Sequence, residues 1–359
     1  GGDWNDSLQP VSEELARRMI SSWTVQMAYQ ALQEYGGLCE RAGKTAQAMA
    51  LAELCARIHA DFHRHLMKDG VVAGYGLVCP DKTIEVLLHP NDTRTGVHHS
   101  LLPMNRGVIS GMFSQDEAER HMRLVTVHLT GPDGARLMDR PLRYRGGLQT
   151  LFQRAESSCY FGREIGLMYV HEHLRYAEAL ARMGRADDFL HALRQAIPVE
   201  YQDVVPQGDL RQANCYYSSS DVLFKSRYEA DARYADVVVG KLPLTGGWRV
   251  YSSGPGIYIA HVVTRLLGLR VAFDELIVDP VLARSLDGLR ATLQFRGHAV
   301  TFAYRVAGAG FGPQSLVVNG KAAEFEREDN PYRVGGAVMP VARILALLDA
   351  GENTVDVTV

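Results

Sequence analysis

The sequence predicts a mainly α-helical chain with a small β domain in its C-terminal part. Helical apolar periodicity dominates residues 1–275, with long loop-rich segments between alternate pairs of helices, which is typical of a toroid of antiparallel helix pairs. From residue 276 to 359, short β-rich pieces alternate with Gly, Pro and Asn-Gly turns, which predicts a β-sandwich-like domain. The helices are too few to close a double ring, so we expect the toroid to lack its N-terminal part.

The first two helices form a predicted αα-hairpin. Residues 12–35 predict a helix capped by Ser12, and Gly36-Gly37 are expected to end it. A second helix is expected from about residue 45 to residue 66. A short glycine-containing link between two helices is typical of such a hairpin. The apolar stripe of the first helix consists of Leu15, Met19, Trp23 and Met27.

Loops and helices alternate through the rest of the helical part. Residues 69–96, 130–160 and 198–252 predict long loops, the first with a β-like piece at 83–88. Ser114 and Glu117 predict a capping box. Further helices are expected over 98–113, 115–129, 163–183, 187–196 and 256–267. The β-rich pieces are 290–306, 314–325 and 352–359, with a turn at Asn319-Gly320.

Composition argues against several classes of protein. The 359 residues suggest about two domains, and a hydrophobic fraction of 47% is enough for a large core. A net charge of -3 argues against a nucleic-acid partner. Five scattered cysteines predict reduced thiols and a cytoplasmic protein. No apolar run approaches the roughly 18 residues of a membrane span, so no membrane partner is expected.

The first ten residues contain a polar motif around a tryptophan. Asp3 and Asp6 flank Trp4 and Asn5. An indole offers a flat face on which a sugar ring can stack, and Asn and Asp bind hydroxyls. A carboxyl held in such a pocket can protonate a leaving oxygen. The alternative is a helix start, in which Asp6 or Ser7 is the N-cap beside a buried aromatic ring.

Two histidines lie in the helix predicted over 163–183. His171 and His173 are two residues apart, so they point to different sides of a helix and make a poor chelating pair. No metal site is therefore predicted. A single histidine that faces a polar pocket can bind an oxyanion or a hydroxyl. The alternative is one hydrogen-bonded core histidine and one exposed histidine.

A serine-rich segment follows two tyrosines. Tyr216, Tyr217 and Asp221 surround three consecutive serines, which suits sugar recognition by ring stacking and hydrogen bonds. The segment lacks the G-x-S-x-G pattern of a serine nucleophile. The alternative is a short helix capped by Ser220 or Asp221.

A glycine-rich segment lies further along the chain. Thr245 and Gly246 offer a hydroxyl and unobstructed backbone N–H groups, which can bind an anion. The segment lacks the Walker A pattern, so it does not predict a nucleotide site. The alternative is an ordinary glycine turn.

Taken in order, these four segments resemble family 94 of the glycoside hydrolases, the inverting disaccharide and oligosaccharide phosphorylases. The matching motifs are Gly-Asp-Trp-Asn-Asp at 2–6, the helix with His171, Asn-Cys-Tyr-Tyr-Ser-Ser-Ser-Asp at 214–221, and Thr-Gly-Gly at 245–247. The resemblance covers nearly the whole chain. The subgroup that acts on β-1,2-linked gluco-oligosaccharides looks most similar, on the segments 6–10, 137–141, 161–173 and 251–258.

The resemblance implies a fold and a reaction. The fold is an (α/α)6 barrel, here without its N-terminal part, followed by a C-terminal β domain. The reaction is reversible phosphorolysis of β-linked gluco-oligosaccharides, with β-1,2-glucan oligomers expected, to α-glucose 1-phosphate and a shortened chain. Inorganic phosphate is the co-substrate and no cofactor is implied. Homodimers are common in the family, so a homodimer is an open expectation.

The resemblance and the motif chemistry together assign roles to residues. Asp6 would be the general acid. Because phosphate replaces the activated water of an inverting hydrolase, no carboxylate base is needed. The expected sugar-binding residues are Asp3, Trp4, Asn5, Tyr216, Tyr217 and Asp221. The expected phosphate-binding residues are His171, Thr245 and Gly246.

Three alternatives remain open from the sequence. The chain could be an enzyme with another substrate, namely cellobiose, laminaribiose or N-acetylchitobiose, or a glucan-processing domain of a larger synthase. The chain could be a non-catalytic carbohydrate-binding fragment. A helical-barrel hydrolase would need a second carboxylate facing the anomeric carbon, for which Glu164, Glu172 and Asp221 are candidates.

Overall fold

The computed structural model describes residues 2–142, 146, 148–156, 167–247 and 253–359. The chain groups into two compact units. Unit one comprises Gly1–Tyr176 and Ile197–Tyr251, and unit two comprises Ala177–Ala196 and Ser252–Val359. The domain boundary that the sequence predicts between residues 275 and 276 stays a prediction.

Helices occur in both units. Those among the described residues are α1 (Glu13–Arg18), α2 (Ser22–Arg41), α3 (Thr45–His65), α4 (Leu101–Ser110), α5 (Gln115–Leu124), α6 (Val170–Arg182), α7 (Ala186–Gln195), α8 (Tyr201–Val204), α9 (Arg227–Val238), α10 (Ser253–His261) and α11 (Val341–Leu345). Helices α5 and α10 continue into π-helical turns at Val125–Leu129 and Val262–Leu266, and 3₁₀ turns lie at Asp6–Leu8 and Arg284–Leu286. In the described part of the chain these helices do not close a ring, so the predicted (α/α)6 barrel is not confirmed.

Strands also occur in both units. They are β1 (Met19–Ser21), β2 (Met67–Lys68), β3 (Val71–Val72), β4 (Tyr75–Val78), β5 (Ile84–Leu87), β6 (Thr130–Gly131), β7 (Gly134–Ala135), β8 (Met168–Tyr169), β9 (Ser219–Asp221), β10 (Thr245–Gly246), β11 (Leu269–Ala272), β12 (Glu275–Val278), β13 (Arg290–Phe295), β14 (His298–Arg305), β15 (Ser315–Val318), β16 (Lys321–Ala322), β17 (Glu326–Arg327), β18 (Ala337–Pro340) and β19 (Asn353–Thr358). Unit one contains the sheets β1-β4-β5 and β10-β9-β8 and the pairs β2-β3 and β6-β7. Unit two contains the sheets β11-β12-β18-β17 and β13-β14-β19-β15-β16.

The first predicted helix is two helices separated by a strand. Met19–Ser21 leave the helical path because they pair in antiparallel register with Tyr75, Gly76 and Leu77 of β4. The side chain of Ser21 then accepts a hydrogen bond from the backbone N–H of Thr24 and caps α2. The apolar stripe is continuous in the sequence, but β1 interrupts the helix. Local periodicity does not reveal this interruption, because it depends on pairing with β4.

The glycines predicted to end the first helix lie inside α2. A Cβ atom on Gly36 would lie 3.7 Å from Leu51 of α3, so packing within the hairpin carries the helix past the two glycines. Gly43, at a φ of 70°, is the residue that ends α2. The backbone N–H of Lys44 bonds to the carbonyl of Cys39 at 2.8 Å, which is the six-to-one bond of a Schellman motif. The predicted αα-hairpin is confirmed, but its first helix ends just before Gly43 rather than at Gly36-Gly37.

The later helices follow the predicted order with different ends. Ser114 and Glu117 form the predicted capping box at the start of α5. The helix predicted over 163–183 begins only at Val170, since Met168–Tyr169 form β8, and residues 163–166 of that prediction lie outside the described residues. Helix α9 lies in a segment predicted as loop. Its buried residues Ala230, Tyr234 and Val237 follow helical spacing, and Ser226 caps it by accepting from the N–H of Glu229.

A buried apolar cluster in unit one fixes the N-terminal segment. Leu8, Met19, Tyr75, Phe152 and Tyr169 belong to this cluster, and Trp4 packs against it. Burial of side chains of this size is worth roughly 1.5–3 kcal/mol each. The cluster therefore brings the N-terminal motif close to β8 and the start of α6, which are more than 150 residues away in the sequence.

Unit two contains the predicted β-rich region. Both of its sheets contribute to one apolar cluster, with Leu276 and Met339 from one sheet and Phe302, Leu316 and Val355 from the other. Two sheets around one core are the arrangement expected of a β-sandwich. The predicted turn at Asn319-Gly320 is confirmed, since Val318 pairs with Lys321 and both turn residues have positive φ.

Candidate active site

Asn5 anchors the N-terminal motif in unit one. Its side chain is 1% exposed, and its Oδ1 accepts a hydrogen bond of 3.0 Å from the N–H of Ser7. It is the N-cap of the 3₁₀ turn Asp6–Leu8. The alternative of a capped helix start is thus correct, although the capping residue is Asn5 rather than Asp6 or Ser7. Asp6 is the first residue of this turn and takes no part in the capping bond.

Asp3 holds the motif to the sheet β1-β4-β5. Its carboxylate accepts hydrogen bonds from the hydroxyl of Tyr75 at 2.8 Å, from the hydroxyl of Ser21 at 3.3 Å and from the N–H of Asn5 at 2.8 Å. Burial raises the pKa of Asp3 above its usual value, and these three donors oppose the rise. Most acceptor positions of the carboxylate are therefore used within the protein. Its predicted role as a sugar ligand stays a prediction.

Asp6 is the exposed carboxylate of the motif. Its side chain is 68% exposed and forms a 3.6 Å ion pair with Arg154. Backbone bonds from Ala155 N–H to the Ser7 carbonyl and from Gln153 N–H to the Gln9 carbonyl hold Arg154 alongside the motif. An exposed ion pair of this kind contributes little stability, so a ligand can displace it at small cost. Asp6 is consequently the carboxyl of this segment that an incoming substrate can reach.

Trp4 lies directly against the histidine segment. The rings of Trp4 and His171 stack with centroids 5.4 Å apart and 6° between their planes. The ring of Tyr169 is 5.8 Å from Trp4 at an interplanar angle of 27°. The indole N–H of Trp4 is buried and has no hydrogen-bond partner among the described residues. The structure thus joins two motifs that the sequence presents separately.

His171 lies at the start of α6 in a cationic environment. Burial, together with the positive charges of Arg175 and Arg106, lowers its pKa to about 4. The imidazole is neutral near pH 7, so one ring nitrogen can donate a hydrogen bond and the other can accept one. A bound anion would be attracted to both guanidinium groups and would favour a protonated imidazole.

Arg106 and Arg175 are functional candidates that the sequence reasoning missed. Arg175 follows His171 by four residues in α6, so both side chains lie on the same face of that helix. This spacing was visible in the sequence. Arg106 comes from α4, and no local signal connects it to His171 before the chain folds. The two arginines supply the charge that an anion site needs.

The neighbours of His171 in α6 are core residues. Glu172 is 2% exposed, accepts a 2.9 Å hydrogen bond from the amide of Asn105, and has a pKa raised by burial to about 7. His173 is buried, and its Nδ1 accepts a hydrogen bond from the N–H of Ala135. His173 is therefore the hydrogen-bonded core histidine of the structural alternative. Among the described residues, no group of three or more His, Cys, Asp or Glu side chains is arranged to hold a metal ion.

A three-stranded sheet places the later motifs beside this helix start. In the central strand β9, Ser219 pairs with Tyr169 of β8, and Asp221 pairs with Thr245 of β10. The backbone N–H of Val170 also bonds to the carbonyl of Ser218 at 2.8 Å. The start of α6 and the Thr245-Gly246 segment are thus held on either side of one strand. Ser219–Asp221 form a strand, so the alternative of a helix cap at Ser220 or Asp221 is wrong.

Gly246 is confined by an aromatic ring. A Cβ atom at this position would lie 2.3 Å from Cδ1 of Tyr217, which is far inside van der Waals contact. Tyr217 is 5% exposed, and its hydroxyl accepts a 3.1 Å bond from the N–H of Gln212. The hydroxyl of Thr245 donates to the carbonyl of Asp221 at 3.3 Å. Glycine is required here because the backbone passes directly over the ring.

The remaining predicted sugar ligands are largely enclosed. Burial and the nearby Asp133 raise the pKa of Asp221 to about 6, although Arg136 and the hydrogen bond from Val222 oppose the rise. One carboxylate oxygen of Asp221 accepts the N–H of Val222. Burial raises the pKa of Tyr216, with a further contribution from neighbouring Tyr169. The roles of Tyr216, Tyr217 and Asp221 in sugar binding stay predictions, and Glu164 lies outside the described residues.

The chain is similar to known carbohydrate-active proteins. Residues 268–355 match the family model described as the glycoside phosphorylase C-terminal domain. The chain is therefore a relative of the glycoside phosphorylases, as its motifs predict. It is 38% identical over 340 residues, or 94% of its length, to a protein of Listeria innocua named 1,2-beta-oligoglucan phosphorylase. It is 24% identical over 222 residues, or 60% of its length, to an N,N'-diacetylchitobiose phosphorylase of Vibrio furnissii.

The similarity covers only part of these relatives. The chain spans 30% of the Listeria protein and 25% of the Vibrio protein. Among solved structures, one described as a sialidase matches 89% of this chain and 26% of its own, with a TM-score of 0.53 and 13% identity. That likeness concerns the fold alone. No helix among the described residues has the length and apolar character needed to cross a membrane.

Proposed function

We propose that this chain contributes to inverting, reversible phosphorolysis of β-linked gluco-oligosaccharides, and that its substrate is a β-1,2-glucan oligomer. The products are α-glucose 1-phosphate and a chain shortened by one glucose. The observation that carries the proposal is the stack of Trp4 on His171, because it joins the segment with the candidate acid to the segment with the candidate anion site. The similarity to the 1,2-beta-oligoglucan phosphorylase supports the choice of linkage.

In the proposed reaction Asp6 donates a proton to the glycosidic oxygen. A phosphate oxygen attacks the anomeric carbon from the opposite face, the bond from that carbon to the glycosidic oxygen breaks, and the proton from Asp6 remains on the leaving hydroxyl. Attack from the opposite face inverts the configuration, so a β-linkage gives an α-phosphate. Phosphate is already a nucleophile, and no carboxylate has to activate it. The burial of Glu172 also makes it unsuitable as a base that contacts substrate.

The proposed phosphate site uses an imidazole, two guanidinium groups and a hydroxyl. His171 donates one hydrogen bond, Arg106 and Arg175 supply positive charge, and Thr245 and Gly246 add a hydroxyl and a backbone N–H. Charge-assisted hydrogen bonds of this kind are about twice as strong as neutral ones. They also stabilise negative charge as it redistributes during transfer.

The setting of this site in a larger protein is also part of the proposal. By similarity to its longer relatives, we propose that the helices of unit one belong to an (α/α)6 barrel in a cytoplasmic enzyme with a homodimeric assembly. Size-exclusion chromatography with light scattering on the full-length protein measures the assembly. A monomer at working concentration would contradict that part of the proposal.

The test of the activity is phosphate-dependent release of glucose 1-phosphate from β-1,2-linked glucose oligomers by the full-length protein. We expect no glucose 1-phosphate without phosphate, and loss of turnover in the Asp6→Asn variant with oligomer binding retained. Equal release of reducing sugar with and without phosphate would indicate a hydrolase. Substantial turnover by Asp6→Asn would remove Asp6 from its proposed role.

A second candidate substrate comes from the Vibrio relative, whose name specifies N,N'-diacetylchitobiose. A panel of β-1,2-glucan oligomers, cellobiose, laminaribiose and N,N'-diacetylchitobiose, each with phosphate, separates the candidates. The proposal requires the highest kcat/KM on the β-1,2-linked oligomers. Binding of glucan without turnover by the full-length protein would instead indicate a carbohydrate-binding role.

A further inference from the structure

Trp4 is in contact with both parts of the candidate site. Its ring lies nearly parallel to that of His171, with 6° between the planes, and Tyr169 covers the same region at 5.8 Å. The neighbouring residues in the chain, Asp3 and Asn5, are both tied down by buried hydrogen bonds. The backbone on both sides of Trp4 is therefore held in place, and the indole packs against the apolar cluster of unit one. The stack of Trp4 on His171 is part of the packing of unit one.

We propose that Trp4 is a positioning residue for His171, and that through this stack it couples the binding of phosphate to the binding of sugar. The inference rests on the proposed function and deepens it. The face of an aromatic ring attracts a cation more strongly than a neutral group. When a phosphate dianion binds His171, it favours the imidazolium form, and the indole face then holds that ring more tightly.

The charges around His171 disfavour the protonated imidazole. Arg175 on α6 and Arg106 on α4 both act electrostatically on the imidazole, and both oppose an added positive charge there. Glu172, the next residue of α6, is buried, accepts a hydrogen bond from Asn105 and interacts electrostatically with the same two arginines. A bound anion and the indole face both stabilise the imidazolium.

The sugar side of the coupling comes from the edge of the same indole. The N–H of Trp4 is buried without a hydrogen-bond partner among the described residues, and a buried unpaired donor is costly. A sugar hydroxyl that displaces the groups covering this N–H can accept the bond and fix the indole plane. Because a coupling between two ligands is reciprocal, a fixed indole improves the phosphate site, and a bound phosphate improves the sugar site.

The test is a double-mutant cycle in the full-length protein. The KM for phosphate is measured at saturating β-1,2-glucan oligomer in the wild type, Trp4→Leu, His171→Gln and the double variant. We expect Trp4→Leu to raise this KM roughly 3- to 10-fold in the wild-type background. In the His171→Gln background the same substitution should change the KM by less than about twofold, because the partner of the stack is gone.

Trp4→Phe provides an independent test that keeps the core filled. Phenylalanine retains an aromatic face over His171 but lacks the N–H, so the KM for the oligomer should rise while the KM for phosphate stays within about twofold of the wild type. Tyr35→Leu is the matched control, because it removes an aromatic side chain that is 53% exposed on α2. It should leave the KM for phosphate and the KM for the oligomer unchanged.

The outcomes separate the two proposals. Equal effects of Trp4→Leu in both backgrounds, or a Trp4→Phe variant whose phosphate KM rises while its oligomer KM does not, would overturn the coupling and leave the phosphorylase activity standing. A wild-type protein that releases no glucose 1-phosphate would overturn the proposed function itself. Should Trp4→Leu fail to fold, judged by thermal unfolding, the Trp4→Phe comparison still decides.

Discussion

Replacing Gly246 with alanine tests whether the candidate phosphate segment depends on its close approach to Tyr217. The new Cβ atom would lie 2.3 Å from Cδ1 and 2.6 Å from Cε1 of the ring. Ordinary contacts begin near 3.4 Å, so the ring or the strand has to move by about 1 Å. The backbone of Gly246 is not in the left-handed region, so the predicted strain is purely steric.

The ring has little freedom to move. Tyr217 is buried, its hydroxyl accepts the N–H of Gln212, and the guanidinium of Arg211 lies 5.0 Å from the ring centroid. Overpacking a filled site typically costs about 1–3 kcal/mol. The entropic gain from replacing glycine in the unfolded chain offsets only about 0.4–1 kcal/mol of this. We therefore expect a net loss of about 1–2 kcal/mol in the free energy of unfolding.

Gly37→Ala is the matched control for this substitution. Gly37 lies in α2, and a Cβ atom there would have no neighbour within 4 Å. Alanine in an exposed helix is favoured over glycine by about 0.5–1 kcal/mol. Urea unfolding should thus show opposite signs for the two substitutions. The KM for phosphate should rise several-fold in Gly246→Ala and stay unchanged in Gly37→Ala.

The steric argument has a clear refutation. If Gly246→Ala is as stable as the wild type, Tyr217 yields easily and the glycine is not required by the ring. If the variant is destabilised while the KM for phosphate is unchanged, the steric argument survives and the segment does not bind phosphate. The two measurements therefore test the packing and the proposed function separately.

Three further predictions follow from single side chains. Glu172 has a pKa raised to about 7, so between its unfolded value near 4.5 and pH 7 the native state binds more protons, and the free energy of unfolding falls as the pH rises. The fall in the free energy of unfolding between pH 4.5 and 8 should be about 3 kcal/mol larger in the wild type than in Glu172→Gln. Parallel pH curves for the two proteins would show that Glu172 does not have a raised pKa. Ser114→Ala removes the capping box of α5 and should cost about 1 kcal/mol of stability by thermal unfolding, and no change would mean that the cap is redundant. Arg175→Gln should weaken phosphate binding at least several-fold at low salt while thermal stability is kept, and unchanged binding by calorimetry would exclude Arg175 from the anion site.

The fold was predictable where local signals agree with the tertiary structure. The hairpin α2–α3, the capping box at Ser114 and the turn at Asn319-Gly320 each depend on residues close in sequence. The break at Met19–Ser21 was not predictable, because it depends on pairing with β4, more than 50 residues away. Gly36-Gly37 misled the prediction for the same reason, since contact with α3 outweighs the weak helix propensity of glycine.

The candidate site shows a similar division. The residue types of Trp4, His171 and Thr245 were identifiable from their motifs, but the stack of Trp4 on His171 required the fold. The resemblance assigned the acid role to Asp6 and a sugar contact to Asp3, but the sequence does not show how exposed either carboxylate is. The structure distinguishes them, because Asp3 is bound by Tyr75 and Ser21 and Asp6 is exposed. Burial separates these two carboxylates, and it arises from long-range contacts that a local motif does not encode.

The position of β19 in its sheet has a consequence for the synthesis of unit two. β14 and β15 do not pair with each other, since each pairs with β19, one in parallel and the other in antiparallel register. β14 also pairs with β13, and β15 also pairs with β16. About 50 residues must leave the ribosome after β14 before β19 exists, and until then β14 and β15 each present one unpaired edge. Closing so long a loop slows folding, and exposed edges favour association between nascent chains. The yield of native protein should accordingly depend on chaperones and on growth temperature more than on the stability of the finished sheet.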